Sequence, residues 1–264
     1  MYERSCGFKR QSGCDISLDY QGGKGNGKVV CPCMEVHKEG TLSEYGHRGG
    51  GESEVYDVSE SVVYNMDCME YMRTLPDKAF SLAIVDPPYR NENQPTKDMR
   101  NNRFVKGNWL GEKPTKEYFD ELKRVSERQI IWGANNFPEA SPFKGFVVWR
   151  KLTIGEDFTM SACEIASLSE NLGTTSKYFE YAPQGTKEDP RIHPTQKPVA
   201  LYRWLLKHYA RERERVLDTH VGSGSSRIAC AELGFDFVGC EIDKTYYELQ
   251  EKRFKEYSDQ LMLF

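Results

Sequence analysis

The sequence lacks the features of a membrane protein and has no excess of positive charge. No apolar run approaches the roughly 18 residues of a membrane-spanning helix, and no charged-then-apolar leader opens the chain. We therefore expect a cytoplasmic protein without membrane contact. The net charge is −4, from 36 Lys and Arg against 40 Asp and Glu. With no overall positive field to attract nucleic acid, any such contact must use a local basic face.

The first sixty or so residues also lack apolar periodicity. Residues 1–60 are rich in glycine and contain Cys6, Cys14, Cys31 and Cys33, but no paired CxxC spacing occurs, so a zinc site is not favoured. This composition predicts a flexible N-terminal arm without a metal. A zinc module is the alternative. Residues 61–264 then form the folded domain, whose cysteines we expect to be reduced and buried.

The central stretch of that domain is a short apolar strand that ends at an acid and two prolines. Ser81 to Val85 is apolar and rich in β-branched residues, and Asp86-Pro87-Pro88-Tyr89 follows. Proline cannot donate to a sheet, so the strand must end there, at the edge where open α/β sheets bind ligands. Asp86 and the Pro87 carbonyl offer two acceptors beside the aromatic ring of Tyr89. This set suits a planar base that carries an exocyclic amino group.

Two further motifs lie in the C-terminal third. His193-Pro194-Thr195-Gln196-Lys197-Pro198 precedes a predicted helix from Val199 to Tyr209, which Thr195 could cap. The helix terminus and Lys197 together would attract a carboxylate. A predicted strand then ends at Asp218 and leads into a glycine turn, in which Gly222 and Gly224 let the backbone approach a ligand. Glu241 ends the next predicted strand, where an acid can bind ribose hydroxyls.

These motifs resemble those of the S-adenosylmethionine (SAM)-dependent amino-group DNA methyltransferases, which modify adenine N6 or cytosine N4. The resemblance extends from about Val62 to the C-terminus. It implies a doubly wound, mostly parallel sheet of the Rossmann-like methyltransferase type. The catalytic motif precedes the SAM motif, an order similar to the circularly permuted β group. The family usually has D-P-F-x-G-S-G-T-T at the glycine turn, whereas Thr219-His220 and Ser225-Ser226 depart from that pattern here.

The resemblance also assigns roles to individual residues. Catalysis would use Asp86, Pro87, Pro88 and Tyr89. The predicted contacts to SAM are Asp67, Thr195, Lys197, Asp218, Gly222, Gly224, Ser225 and Glu241. For Asp67 a simple helix cap is an equal alternative.

DNA contacts are expected from a basic loop and from one turn. Residues 91–111 show no periodicity and interleave basic and aromatic side chains, which suits contact with phosphates and bases. The candidates are Arg100, Arg103, Lys106, Trp109 and, in a W-G-A-N segment after a strand, Asn135. A short target recognition region is expected at about residues 168–192, because the family has one thereabouts.

Adenine is the favoured target, because the Asp-Pro-Pro-Tyr form resembles the adenine enzymes and the cytosine enzymes more often begin with serine. A cytosine-N4 enzyme is the alternative. Less favoured hypotheses are a SAM-dependent RNA or protein methyltransferase and a DNA-binding protein without turnover. The resemblance implies DNA as the partner and allows a homodimer. It leaves the recognition sequence and the existence of a cognate restriction nuclease open.

Overall fold

The computed structural model describes residues 59–89, 113–140, 144–155, 161–183 and 190–261. All of them lie in one compact unit, Tyr56–Phe264. In the described ranges, eight strands form a single sheet. In chain order they are β1 (Ser61–Tyr64), β2 (Phe80–Val85), β3 (Ser126–Trp132), β4 (Gly145–Lys151), β5 (Cys163–Leu168), β6 (Lys177–Tyr181), β7 (Arg215–Asp218) and β8 (Asp236–Cys240).

The sheet is mostly parallel. Its strand order is β1-β8-β7-β2-β3-β5-β4-β6. The first five strands are mutually parallel. Strand β5 runs antiparallel to both of its neighbours, and β6 pairs parallel with β4.

Helices cover both faces of the sheet. They are α1 (Cys68–Arg73), α2 (Lys116–Val125), α3 (Val199–Tyr209), α4 (Ser225–Leu233) and α5 (Lys244–Leu261). One core contains side chains of α3 and α4, and the other contains side chains of α1 and α2. On β2, Leu82 and Ile84 enter the first core, whereas Ala83 and Val85 enter the second. A strand that is buried on both faces is apolar throughout, which is why this segment shows no alternation.

The predicted fold class is confirmed for the sheet, which is doubly wound and mostly parallel. The circular permutation stays a prediction. Several local predictions are wrong. The amphipathic pattern of Thr115 to Arg128 predicts a helix over that segment and a strand from Gln129, but α2 ends at Val125 and β3 begins at Ser126. Thr195 does not cap α3, whose N-cap is Pro198 without a side-chain bond. Strand β6 and a short 3-10 helix, neither of which was predicted, lie inside the target recognition region expected at about residues 168–192.

The cysteines of the described residues are free thiols, as predicted, but only Cys230 and Cys240 are buried. Cys163 is exposed, because it begins β5 at the end of the strand. Among the helices of the described ranges, none combines the length and apolar character needed to cross a bilayer. The predicted N-terminal arm and its cysteines lie outside the described residues, so its flexibility stays a prediction.

Candidate active site

The predicted catalytic tetrapeptide follows β2 directly, at the carboxyl edge of the sheet. Strands β7 and β3 flank β2, and all three are parallel. The chain continues from β2 to β3 on one side, and from β7 to β8 on the other. Connections that diverge in this way leave a crevice at the carboxyl ends of the strands, where ligands bind. Asp86 and the glycine turn after β7 both lie at this point.

Two side chains hold the Asp86 carboxylate. The Tyr89 hydroxyl donates to Oδ1 over 2.5 Å, and the Lys197 ammonium donates to Oδ2. Burial, reinforced by the carboxylates of Asp86 and Glu164, raises the pKa of Tyr89 well above its ordinary value. The phenol therefore stays protonated and is the donor. An ionised carboxylate has about four acceptor positions, so Asp86 retains capacity for the amino group of a substrate.

The Lys197 ammonium has an acceptor for each of its N–H groups. Besides Asp86, it lies 3.0 Å from Oε2 of Glu164 and donates to the Tyr89 oxygen over 3.2 Å. Its side chain is 2% exposed and lies 5.3 Å from the centroid of the Trp132 ring. Burial acts to lower the pKa of Lys197, but Asp86 and Glu164 outweigh burial and raise it. Lys197 is therefore protonated at neutral pH. Its contact with the carboxylate of SAM remains a prediction.

Glu164 and Lys151 extend this cluster, and sequence reasoning missed both. Glu164, on β5, lies 2.5 Å from the ammonium of Lys151, the last residue of β4. Burial acts to raise the pKa of Glu164, but Lys197 and Lys151 overcome it and lower that pKa to about 2. Glu164 is therefore a carboxylate at neutral pH. The only hint in the sequence is an acid inside an otherwise apolar strand, Cys163 to Leu168.

A glycine makes room for the ring of Tyr89. Gly133 follows β3 with a φ of +65°, and a Cβ at this position would lie 2.0 Å from Cε1 of Tyr89. Phe137 packs on the same ring at 6.1 Å between centroids, edge to face. The turn of the W-G-A-N segment therefore sets the position of the Tyr89 ring, on which we expect the target base to stack. Asn135, a candidate DNA contact, is exposed in this turn.

The glycine turn is closed by buried polar contacts. Asp218 accepts bonds from the Ser226 hydroxyl (2.5 Å) and from the backbone N–H of His220 (3.0 Å). Burial raises the pKa of Asp218 to about 7. The structure thus gives Asp218 a part in closing the loop, and its predicted contact with SAM stays a prediction. Gly222 has a φ of +53° and Gly224 a φ of +77°, conformations that favour glycine.

Two acids lie at the ends of the neighbouring strands β1 and β8. Glu241 follows β8 and accepts bonds from the N–H groups of Gly222 (2.8 Å) and Asp243 (2.9 Å). Burial raises the pKa of this carboxyl. Asp67 follows β1 and caps α1 through the N–H of Met69 at 2.6 Å. Asp67 therefore is the helix cap, and its predicted role at the cofactor stays open.

Ser225 and Thr195, two further predicted contacts to SAM, bond to neighbouring polar side chains. Ser225 is 2% exposed, and its hydroxyl contacts Ser223 and Arg253, both at 3.1 Å. The Thr195 hydroxyl lies 3.1 Å from Nδ1 of His193. Four predicted DNA contacts lie outside the described residues, namely Arg100, Arg103, Lys106 and Trp109.

The sequence matches the model of the N6/N4 methyltransferase family, described as DNA methylase, over residues 131–252. YubD of Escherichia coli (strain K12) is 27% identical over 202 residues, which are 71% of this chain and 87% of YubD. The type II methyltransferase M.HinfI of Haemophilus influenzae is 23% identical over 242 residues, covering 72% of this chain and 67% of M.HinfI.

A structural neighbour shares the fold. The solved structure of the PvuII DNA methyltransferase (cytosine-N4-specific) matches with a TM-score of 0.53 and 10% sequence identity. The match covers 76% of this chain and 92% of that one. In sequence and fold, the comparisons confirm the predicted resemblance, and the chain is related to the SAM-dependent DNA methyltransferases that modify exocyclic amino groups.

Proposed function

We propose that this DNA methyltransferase transfers the methyl group of SAM to the exocyclic N6 of an adenine that has been flipped out of the duplex. One observation carries the proposal. An ionisable acceptor, Asp86, lies at the divergence point of the sheet, between the glycine turn after β7 and the ring of Tyr89. A base amino group and a cofactor can therefore meet at one carboxylate.

The residues at the sheet edge fit SAM. Glu241 and Asp67 follow the adjacent strands β8 and β1, and their carboxylates can accept bonds from the ribose hydroxyls and the adenine amino group. Gly222 bonds to Glu241 and bears no side chain that would cover the turn. These groups follow the strand order β1-β8-β7-β2 along the sheet edge, and Asp86 is the last of them. The first N–H groups of α3 supply a positive end for the methionine carboxylate.

In this arrangement the protein orients the amino group and accepts its proton. Bound SAM would supply a methyl group on a cationic sulfur, and that sulfur would leave with the electron pair of the broken carbon–sulfur bond. Asp86 and the Pro87 carbonyl accept the two N–H groups of the base, which directs the nitrogen lone pair toward that carbon. When the nitrogen becomes bonded to the methyl group, it loses one proton. Asp86 is the acceptor for that proton, because Lys197 is already protonated.

Adenine is proposed over cytosine because of the residue at the first motif position. Asp86 stands where the cytosine enzymes more often have serine, and it is followed by the Pro-Pro-Tyr of the adenine form. The likeness to the PvuII enzyme, at 10% identity, concerns the fold alone. A cytosine-N4 target is the second candidate. A homodimer, a cognate nuclease and cytoplasmic localisation remain predictions.

Transfer of labelled methyl groups from SAM to mixed-sequence duplex DNA tests the proposal. We expect transfer by the wild-type protein and none by Asp86→Ala, while both bind SAM. Glu256→Gln, which alters an exposed side chain of α5, serves as a control and should retain activity. Equal transfer by Asp86→Ala and the wild type would contradict the proposed chemistry.

A further inference from the structure

Four buried or half-buried charges alternate in a row at the active site. Lys151 pairs with Glu164 at 2.5 Å, Glu164 pairs with Lys197 at 3.0 Å, and Lys197 pairs with Asp86. Their side chains are 8%, 22%, 2% and 18% exposed, from Lys151 to Asp86. This burial makes the row unlike a surface ion pair, whose contribution is small.

We propose that Glu164 and Lys151 are positioning residues for the catalytic carboxylate, and that they act through Lys197. Glu164 holds the Lys197 ammonium, and the ammonium holds Oδ2 of Asp86. The second oxygen of Asp86, which bonds to Tyr89, then faces the substrate amino group. This inference rests on the proposed function, since it explains how the acceptor of that function is oriented.

The charge balance of the row predicts the effect of removing the charge of Glu164. The two carboxylates and two ammonium groups sum to zero. Replacing Glu164 by glutamine leaves a net charge of +1, because Lys197 keeps its pair with Asp86 whereas Lys151 loses its carboxylate partner in the row. A buried charge without its partner is strongly unfavourable. The two ammonium groups then repel each other across a neutral amide, which displaces the Lys197 ammonium and, through it, Asp86.

The connection between strands supports a positioning role. Glu164 is on β5, which runs antiparallel between β3 and β4. Lys197 lies in the segment before α3, and its ammonium packs over Trp132 of β3. The pair of Lys197 and Glu164 therefore links the segment before α3, whose Lys197 contacts Asp86, to the antiparallel strand β5.

A double-mutant cycle tests the proposal with Glu164→Gln, Lys151→Met and the double variant. We expect Glu164→Gln to lower kcat at saturating DNA and SAM by about 10- to 100-fold, which is about 1.4–2.7 kcal/mol. The dissociation constant for SAM should stay within about twofold, because the proposal has Lys197 act on Asp86 and leaves the methionine carboxylate to the first N–H groups of α3. Glu256→Gln is the matched control, since it removes one exposed carboxylate of α5.

The double variant separates positioning from packing. Removing Lys151 together with Glu164 restores a net charge of zero and leaves the Lys197 to Asp86 pair intact. We therefore expect the kcat of the double variant to exceed that of Glu164→Gln. If Glu164 and Lys151 only pack β4 against β5, the variants will lose stability in thermal unfolding but keep the kcat of the wild type. A kcat in the double variant no higher than that of Glu164→Gln, or an unchanged kcat in Glu164→Gln, would overturn the proposal.

A second measurement does not depend on turnover. The ¹H–¹⁵N signal of the Lys197 ammonium should be visible at neutral pH in the wild-type protein, because its protons are bonded and shielded from solvent. We expect this signal to shift or vanish in Glu164→Gln and to return in the double variant. An identical signal in all variants would refute the row as a positioning device. Should the wild type methylate no DNA, the proposed function fails, and this measurement alone decides the inference.

Discussion

Replacing Gly133 by alanine should displace the ring of Tyr89 and impair methyl transfer. The added Cβ would lie 2.0 Å from Cε1 of Tyr89, inside any allowed contact, and the ring must move because the nearest atoms belong to a side chain. Loss of a stacked base typically costs about 1–3 kcal/mol, so kcat/KM should fall about 5- to 150-fold. The left-handed φ of +65° adds strain. That strain is roughly 1–2 kcal/mol for a residue with a Cβ, which lowers Tm by about 2–8 °C.

Gly234→Ala is the matched control. Gly234 also has a left-handed φ, +73°, but a Cβ there meets nothing within 4 Å. Both variants should therefore lose stability from backbone strain, measured by calorimetry, with Gly133→Ala losing at least as much, and only Gly133→Ala should lose activity, measured with labelled SAM on DNA. If both variants keep the same kcat/KM, the position of Tyr89 does not matter to the reaction and the stacking argument fails.

Three further predictions concern the cofactor edge, the acceptor and acid stability. Glu241→Gln should weaken SAM binding in calorimetric titration, because the carboxylate that bonds Gly222 would lose its charge; unchanged affinity would place SAM elsewhere. Tyr89→Phe keeps the ring but removes the bond to Asp86, so we expect a smaller loss of kcat than in Gly133→Ala, and an equal loss would contradict this ranking. Burial lowers the pKa of His193 from 6.5 to about 3, so the unfolded chain binds a proton first as the pH falls. Stability is thus full above pH 6.5 and falls below it, by about 2 kcal/mol at pH 5; His193→Gln should flatten the dependence of the urea midpoint on pH between 7 and 5.

The sheet edge was largely predictable from sequence. The apolar run of β2 ends at two prolines, and the strand β7 ends at a glycine turn. Both strands therefore end at residues whose backbone freedom is restricted or exceptional, and such residues can be recognised in the sequence. Parallel strands present their carboxyl ends at one edge, and the family resemblance implied a sheet that contains both strands, so Asp86 was expected near Gly222. These two segments fixed the predicted site.

The charged row was not predictable in the same way. Glu164 meets Lys197 only because β5 inserts antiparallel beside β3, and local sequence patterns do not specify that pairing. The predicted boundary between α2 and β3 was also wrong, because a charged residue is buried there. Arg128 looks like the end of an amphipathic helix, but it lies in β3, where it pairs with Glu214. Strand β6 was not predicted, because the segment Lys177 to Tyr181 is short and lies at the edge of the sheet, where its residues alternate between half-buried and exposed.

The most direct test of the central claim is the identity of the methylated nucleoside. DNA from cells that express the protein, digested and analysed by mass spectrometry, should contain N6-methyladenine above the level in cells expressing Asp86→Ala. Long-read sequencing of the same DNA would place the modified adenines in a defined sequence. N4-methylcytosine without N6-methyladenine would contradict the adenine assignment. The absence of both modified nucleosides would contradict DNA methylation itself.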